Sequence, residues 1–237
     1  MHRDTITVGI LIYHDPRWLS FVLDGLEAAR TEHVHWRPYV YANDPTPAVA
    51  ADHRVTFVHR SQDPSVHYLT RVYQAWNDLV RRSPTELVVL LNSDMVVSDG
   101  WLDSLYAAWQ VDPKALPTSL LVESGRQVSA FPEYVANFGL HPNEFDATAW
   151  RQHAALIREP GRTSKGRLYM PVLFQRDAFL AVGGYPPGNL SATQTGDRVL
   201  FQRLADAGFR HVTCHGSVVY HVGEGEMRDA AANRRRV

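Results

Sequence analysis

The stretch Glu86-Leu-Val-Val-Leu-Leu-Asn-Ser-Asp-Met95 decides the fold, because it joins a buried strand directly to an acidic tip. Leu87 to Leu91 form an unbroken aliphatic run, which is typical of a central parallel strand covered on both faces. Asn92 and Asp94 follow two residues apart, so in an extended chain their side chains project to the same side. Because ligands of open α/β sheets bind beyond the carboxyl ends of strands, this tip is a predicted binding site.

The acidic tip has two interpretations. A carboxylate with an amide beside it is suited to hold a divalent cation against a pyrophosphate. Alternatively, Asn92-Ser93-Asp94 makes a turn and caps the next helix. These three residues alone do not decide between the two.

Length and composition predict one soluble α/β domain, with room for a small appended lobe. The chain has 237 residues, 45% of them hydrophobic, and a formal net charge of -1 that gives no general attraction to nucleic acid or anionic membrane. Cys214 is the single cysteine, so no internal disulfide forms and a reducing compartment is expected. The first apolar run, Val8 to Tyr13, is too short to span a membrane and lacks the features of a signal peptide. We therefore expect a cytoplasmic protein without a transmembrane segment.

Strand and helix patterns alternate through the first half of the chain. Asp15-Pro16 starts a helix well, with Asp at the N-cap and Pro at the first helical position. The predicted strands cover 5–13, 34–41, 55–58 and 87–91, and the predicted helices begin at 15 and cover 69–80 and 100–110. This order predicts a mostly parallel central sheet flanked by helices, with a Rossmann-like first half.

The second half is less regular. Residues 123–166 carry aromatic side chains without sustained periodicity, which indicates a functional loop region. Beyond it, the patterns predict strands over 168–175, 209–213 and 218–221, and helices over 177–182 and 195–207.

Four stretches, in this order, resemble motifs of the family 2-type glycosyltransferases, which have the GT-A fold. They are the opening strand Thr7–Tyr13, the "DxD" segment with its Gly-Trp-Leu in Leu90–Leu102, the Gly-Gly-Tyr step in Phe179–Tyr185, and the helix Thr195–Phe209. The resemblance implies a single GT-A domain over 1–237. In it, 1–110 would bind a nucleotide sugar, and 111–237 would bind the acceptor and carry the catalytic residue.

Two motifs depart from the family pattern. Asn92 replaces the first Asp of the acidic triplet, so the tip keeps Asp94 but has one charge fewer. In the later motif, Gly196 and Val199 stand where the family has acids, which leaves Asp197. Without acidic neighbours, the like-charge contribution that raises the pKa of a carboxyl group is smaller.

The resemblance implies sugar transfer from a nucleoside diphosphate sugar, UDP-, dTDP- or GDP-linked, to an acceptor hydroxyl. Asp94 would hold Mn²⁺ or Mg²⁺ against the diphosphate, and His221 would supply a second ligand. Asp197 would be the general base of an inverting reaction. The alternatives are a helix N-terminal carboxylate for Asp197 and, among 12 histidines, a core or surface role for His221.

Further residues are assigned to the two substrates. Tyr13 would stack on the base, Asn43 or Asp44 would bind base or ribose, and Arg71 would reach a phosphate or the base edge, unless it is a helix-surface arginine. The acidic-tip residues Asn92 and Ser93 belong to the same donor side. Acceptor-side candidates are Trp101, Gly184 and Tyr185. Glu224 and Glu226 lie either in a loop that closes on the donor or in a solvated turn.

Three other functions remain open. A sugar-nucleotidyltransferase would need a glycine-rich basic loop after the first strand, where this chain has Tyr13 to Arg17. A non-catalytic nucleotide-sugar or glycan-binding module is suggested by Gly196 and Val199, although both Asp94 and Asp197 are retained. A hydrolase would release the sugar to water.

Overall fold

One nine-stranded sheet forms the centre of the protein. The computed structural model describes residues 5–60, 66–127, 129–191, 193–223 and 225–226. The strands are β1 (Thr5–Ile12), β2 (His35–Asn43), β3 (Phe57–His59), β4 (Leu87–Asn92), β5 (Met95–Val97), β6 (Ala115–Glu123), β7 (Thr163–Lys165), β8 (Val172–Gln175) and β9 (Arg210–His221). The helices are α1 (Pro16–Ala28), α2 (Pro47–Ala50), α3 (Tyr68–Arg82), α4 (Trp101–Val111), α5 (Ala147–Ile157), α6 (Arg176–Ala181) and α7 (Gly196–Asp206), with short 3₁₀ helices at Pro132–Tyr134 and Pro142–Glu144.

The sheet is mixed rather than wholly parallel, and its longest pairings are parallel. Its strand order is β3-β2-β1-β4-β8-β6-β9-β5, and β7 pairs with β9 outside this path. The pairs β2–β3, β1–β2 and β1–β4 are parallel, as the Rossmann-like first half requires, and β6–β9 in the second half is parallel too. The pairs β4–β8, β6–β8, β5–β9 and β7–β9 are antiparallel. The sequence did not indicate which pairs would be antiparallel, because an apolar run shows that a strand is buried but does not specify its direction.

Three elements of the second half differ from the predicted ones. All residues of β6 are buried, and this strand together with α5 brings regular structure to a region where no element was predicted. The two short strands predicted near the end form the single strand β9. Its pairing with β6 shifts between Ser119 and Leu120, whose partners are Cys214 and Val218, so residues 215–217 interrupt the pattern.

Hydrophobic side chains cover both faces of the sheet. In β4, Leu87, Val89 and Leu91 join the core that α1, α4 and α5 cover. Val88 and Leu90 join the opposite core, which includes side chains of α3, α6 and α7. This alternation follows from the two-residue period of a strand and explains the unbroken aliphatic run.

Helix α1 begins as predicted, because the Asp15 side chain accepts a hydrogen bond from the Arg17 N–H at 2.9 Å and Pro16 occupies the first turn. Across the described ranges, no helix is both long and apolar enough to cross a membrane. In this fold, Tyr13, Asn92, Glu123 and His221 lie at the carboxyl ends of β1, β4, β6 and β9, respectively.

Candidate active site

A cleft of about 400 Å³ lies at the carboxyl ends of the central strands. Among the residues that line it are six predicted site residues: Tyr13, Asn92, Ser93, Asp94, Asp197 and His221. Larger grooves, of about 450, 660 and 740 Å³, lie elsewhere on the described surface and contain none of the predicted site residues. We place the candidate site in the smaller cleft because it brings together these six predicted site residues.

Asp94 lies in the tight connection between β4 and β5. Its side chain is buried, and its Oδ2 accepts a hydrogen bond from the Gly225 N–H at 3.1 Å. Its Oδ1 lies 3.5 Å from Nε2 of His221. Burial alone would raise the pKa of Asp94, but the charge of His221 and its hydrogen bond outweigh it and lower the pKa below its ordinary value.

His221 reaches Asp94 because of strand register. It pairs with Met95 across β5 and β9, and with Glu123 across β6 and β9. Its Nδ1 lies 3.0 Å from Oε2 of Glu123, so one imidazole contacts two carboxylates. Burial acts to lower the pKa of His221, but the two carboxylates raise it to about 10.

Asp94 and His221 fit a divalent cation. They present an oxygen and a nitrogen donor side by side, and Glu123 orients the second nitrogen of the ring, as carboxylates commonly do for metal-binding histidines. Within the part of the chain that the structure describes, no group of three or more His, Cys, Asp or Glu side chains has an arrangement that would hold a metal ion. The two side chains therefore fit a cation that takes its other ligands from a bound molecule or water.

Asp197 enters the cleft from the first turn of α7, after the N-cap Thr195. Its side chain is partly exposed. The buried part of its surroundings nevertheless raises the pKa of this carboxyl group, whereas the neighbouring Tyr185 hydroxyl acts to lower it. A raised pKa brings a carboxylate closer to the range in which it accepts a proton efficiently.

Two tyrosines pack beside Asp197. The rings of Tyr73 and Tyr185 stack with centroids 5.0 Å apart and an interplanar angle of 10°. Asn77 fixes Tyr185 in place, because its side-chain amide accepts from the Tyr185 N–H at 2.8 Å and donates to the Tyr185 carbonyl at 2.9 Å. Tyr73 donates to Asn189 Oδ1 at 2.9 Å, and that same oxygen accepts from the Gly196 N–H at 2.9 Å.

The Tyr73 ring explains one departure from the glycosyltransferase motif. A Cβ atom built at Gly196 would overlap this ring, and the ring is held by Tyr185 and Asn189. Glycine at 196 is therefore a packing requirement of this chain.

The predicted nucleoside-binding residues divide into two groups. Tyr13 lines the cleft, and its ring lies 5.9 Å from that of Tyr68. Asn43 is buried and its Oδ1 lies 3.0 Å from His59 Nδ1. Asp44 and Arg71 form an ion pair at 2.8 Å. Asn43, Asp44 and Arg71 thus lie at the ends of β2 and α3 and do not line the cleft.

The predicted acceptor-side residues are not in the cleft lining. Trp101 is fully buried in the core at the start of α4, which corrects its assignment to the acceptor side. Gly184 is buried in a turn with φ of 62°, where its carbonyl accepts from Arg203 at 3.1 Å. Tyr185 does not line the cleft itself, but it is buried beside Asp197, which does.

The structure adds residues that the motifs did not identify. Glu123 follows an apolar run at the end of β6, which is the same signal that identified Asp94. Glu226 lines the cleft and is buried rather than solvated, while Glu224 lies outside the described residues. Tyr73 and Trp76 belong to the buried stripe of α3 and Tyr68 is half-buried at its start, but the pattern alone gave no sign that they border a cleft.

No protein-family model matches the chain, and no curated protein matches it. Solved structures do match. The structure of GalNAc-T7 with UDP, GalNAc and Mn²⁺ superposes with a TM-score of 0.63 and 12% identity over 93% of this chain. A segment of S. aureus TarS gives a TM-score of 0.58 and 10% identity, and a longer TarS structure gives 0.57 and 13%, each over 92% of this chain.

This chain spans 44%, 60% and 36% of those three chains, respectively. At such low identity, the likeness concerns the arrangement of the sheet and helices. GalNAc-T7 and TarS are both glycosyltransferases with the GT-A fold. This chain has the GT-A fold.

Proposed function

We propose that this protein is an enzyme, a glycosyltransferase that moves a sugar from a nucleoside diphosphate sugar to an acceptor hydroxyl. The observation that carries the proposal is that one cleft of a GT-A fold brings together Asp94, His221 and Asp197. The reaction needs stabilisation of a departing diphosphate and removal of a proton from the acceptor. Asp94 and His221 suit the stabilisation of the diphosphate, and Asp197 suits the removal of the proton.

Asp94 and His221 would hold the cation, Mn²⁺ or Mg²⁺. When bound, such a cation neutralises negative charge on phosphate oxygens as a Lewis acid. Glu123 keeps the His221 ring oriented for this contact. The Mn²⁺ in the GalNAc-T7 structure supports testing this metal first.

Asp197 would accept the proton of the acceptor hydroxyl. As the acceptor oxygen forms its bond to the anomeric carbon, the bond from that carbon to the diphosphate breaks and its electron pair leaves with the diphosphate. Attack opposite the leaving group inverts the anomeric centre. Burial, which raises the pKa of Asp197, makes this carboxylate a better proton acceptor.

The donor would lie over the first half of the chain, 1–110, and the acceptor over 111–237. Tyr13 would face the nucleobase, and Asn92 and Ser93 would contact the nucleotide. Asn43, Asp44 and Arg71 would contribute as a supporting network at the ends of β2 and α3. UDP is the first nucleotide to test, ahead of dTDP and GDP, because GalNAc-T7 binds UDP in its structure. The single buried Cys214 supports a reducing, cytoplasmic setting.

The tight packing of Gly196 against Tyr73 weakens the main argument for a non-catalytic module. The missing acid at position 196 has a packing cause in the tyrosine ring, which leaves Val199 as the remaining departure that favours a module.

The test uses the purified chain with UDP-, dTDP- and GDP-linked sugars, each with Mn²⁺, Mg²⁺ or a chelator. Nucleoside diphosphate release is measured with and without a panel of hydroxyl acceptors, and products are identified by mass. We expect cation-dependent release that rises with acceptor and yields a glycosylated product. Binding without turnover under every condition would support the module instead, and equal release without acceptor would indicate a hydrolase. Pyrophosphate release from a sugar phosphate and a nucleoside triphosphate would indicate a nucleotidyltransferase.

A further inference from the structure

The last described residues of the chain lie inside the cleft. The Glu226 side chain is buried, and its Oε1 accepts hydrogen bonds from three successive backbone N–H groups. The N···O distances are 3.1 Å from Tyr13, 2.5 Å from His14 and 3.1 Å from Asp15. Its Oε2 accepts from the Ser93 hydroxyl at 3.2 Å. Glu226 thus uses donors on both the β1–α1 loop and the acidic tip.

Gly225 binds the acidic tip directly. Its N–H donates to Asp94 Oδ2 at 3.1 Å, and the nearby Val222 N–H donates to the Asp94 carbonyl at 3.0 Å. A Cβ atom at Gly225 would overlap the ring of the fully buried Trp18, so only glycine allows this close approach. The contact is therefore closely fitted on two sides, by Asp94 and by Trp18.

Charge makes this arrangement unfavourable for an anionic ligand. Four carboxyl groups, those of Asp94, Asp197, Glu226 and Glu123, lie in the cleft or at its edge, and among the described lining residues only the imidazole of His221 can carry a positive charge. A diphosphate would add further negative charge where like charges already lie close together. The N–H groups of residues 13–15, which are suited to bind anions, are meanwhile occupied by Glu226.

We propose that Glu226 is a self-inhibitory ligand of this cleft. Its carboxylate takes the N–H groups and the Ser93 hydroxyl that would otherwise bind oxygen atoms of the donor nucleotide, so the nucleotide must displace it. This inference rests on the proposed function, because it requires that a nucleoside diphosphate enter this cleft. It differs from a loop that closes on the donor, since it predicts that Glu226 opposes nucleotide binding rather than assisting it.

The test compares the affinity of the wild-type chain, Glu226→Ala and Glu226→Gln for UDP, dTDP and GDP by calorimetry with Mn²⁺. We expect binding about tenfold tighter in Glu226→Ala, since it removes both the charge and the hydrogen bonds. Glu226→Gln keeps an oxygen acceptor without the charge and should lie in between. Glu144→Gln is the matched control, because Glu144 is exposed and does not line the cleft.

Gly225→Ala tests the contact independently, because it keeps the Glu226 charge but pushes the segment away from Trp18. Tighter nucleotide binding in this variant would support the proposal. Thermal unfolding of each variant shows that it is folded. Equal or weaker binding in Glu226→Ala than in the wild type would overturn this inference while leaving the proposed function intact. Failure of every variant and the wild type to bind any nucleotide would overturn both.

Discussion

The two acidic regions of the cleft are held in place by different parts of the fold. Asp94, His221 and Glu123 are aligned by strand pairing, because β9 lies between β5 and β6 and sets His221 beside both carboxylates. Asp197 is instead placed by side-chain packing, on the first turn of α7 beside the stacked rings of Tyr73 and Tyr185. Backbone register fixes the cation side, whereas aromatic packing fixes the base side. The two regions should therefore respond differently to substitution.

The base side should show the largest effect. Asp197→Asn keeps the size of the side chain and removes the proton acceptor, so the turnover rate should fall by about 10²–10⁴-fold. Affinity for Mn²⁺-UDP should change little, because the acidic tip is untouched. Product formation at saturating donor and nucleotide titration measure the two quantities. An unchanged rate would remove Asp197 from the mechanism.

The pH dependence sharpens the same prediction. Because burial raises the pKa of Asp197, the wild-type rate should fall on acidification at a pH above the pKa of an exposed aspartate. The base is lost when the carboxylate gains a proton, so activity is retained above this pKa and lost below it. Residual activity of Asp197→Asn should lack this step in a pH–rate profile.

The cation side should show the next largest effect. Asp94→Ala removes one of the two proposed metal ligands, so affinity for Mn²⁺-UDP should fall by about 100-fold or more. This loss is larger than that expected when a residue that only orients a ligand is replaced. The fold should persist, since neither the pairing of β4 with β1 and β8 nor that of β5 with β9 depends on this side chain. Asn92→Ala is the comparison and should weaken binding less. Calorimetry measures both, and wild-type affinity in Asp94→Ala would refute the assignment.

Glu123→Gln tests whether a residue outside the cleft lining supports the cation side. Glutamine retains an oxygen near His221 Nδ1 but removes the charge, so Mn²⁺ affinity should fall by about 10-fold. Turnover at saturating Mn²⁺ should recover toward the wild-type rate. Glu144→Gln serves again as the exposed control, and an equal effect in both variants would show that Glu123 has no specific role.

Packing at the base side should give the smallest effect. Gly196→Ala forces a methyl group into the Tyr73 ring, and we expect a loss of about 1 kcal/mol in the free energy of unfolding, at the lower end for overpacking. Denaturant unfolding measures this loss. In a Tyr73→Ala background the same substitution should cost little, because the ring is gone. An identical cost in both backgrounds would show that Tyr73 does not impose glycine at 196.

Much of the first half was predictable. The strand patterns of β1, β2 and β4 and the Asp15-Pro16 start of α1 are confirmed, because burial periodicity and helix capping act over a few residues. The predicted α/β sheet is confirmed, but local patterns did not predict that β8 enters it antiparallel between β4 and β6 and makes it mixed rather than wholly parallel. Trp101 shows the same limit, since its position in a motif gave no information about its burial in the core.

The sequence by itself determined that Asp94 stands at the carboxyl end of a buried strand, and that the chain follows the order of a GT-A fold. Local patterns suffice for this, because an aliphatic run and its first polar residue are neighbours in the chain. Only the tertiary structure decided that Glu123 orients His221, that Tyr73 requires Gly196, and that Glu226 occupies the amides of residues 13–15. Each of these contacts joins residues roughly a hundred or more positions apart, and strand register and packing, rather than any local pattern, bring them together.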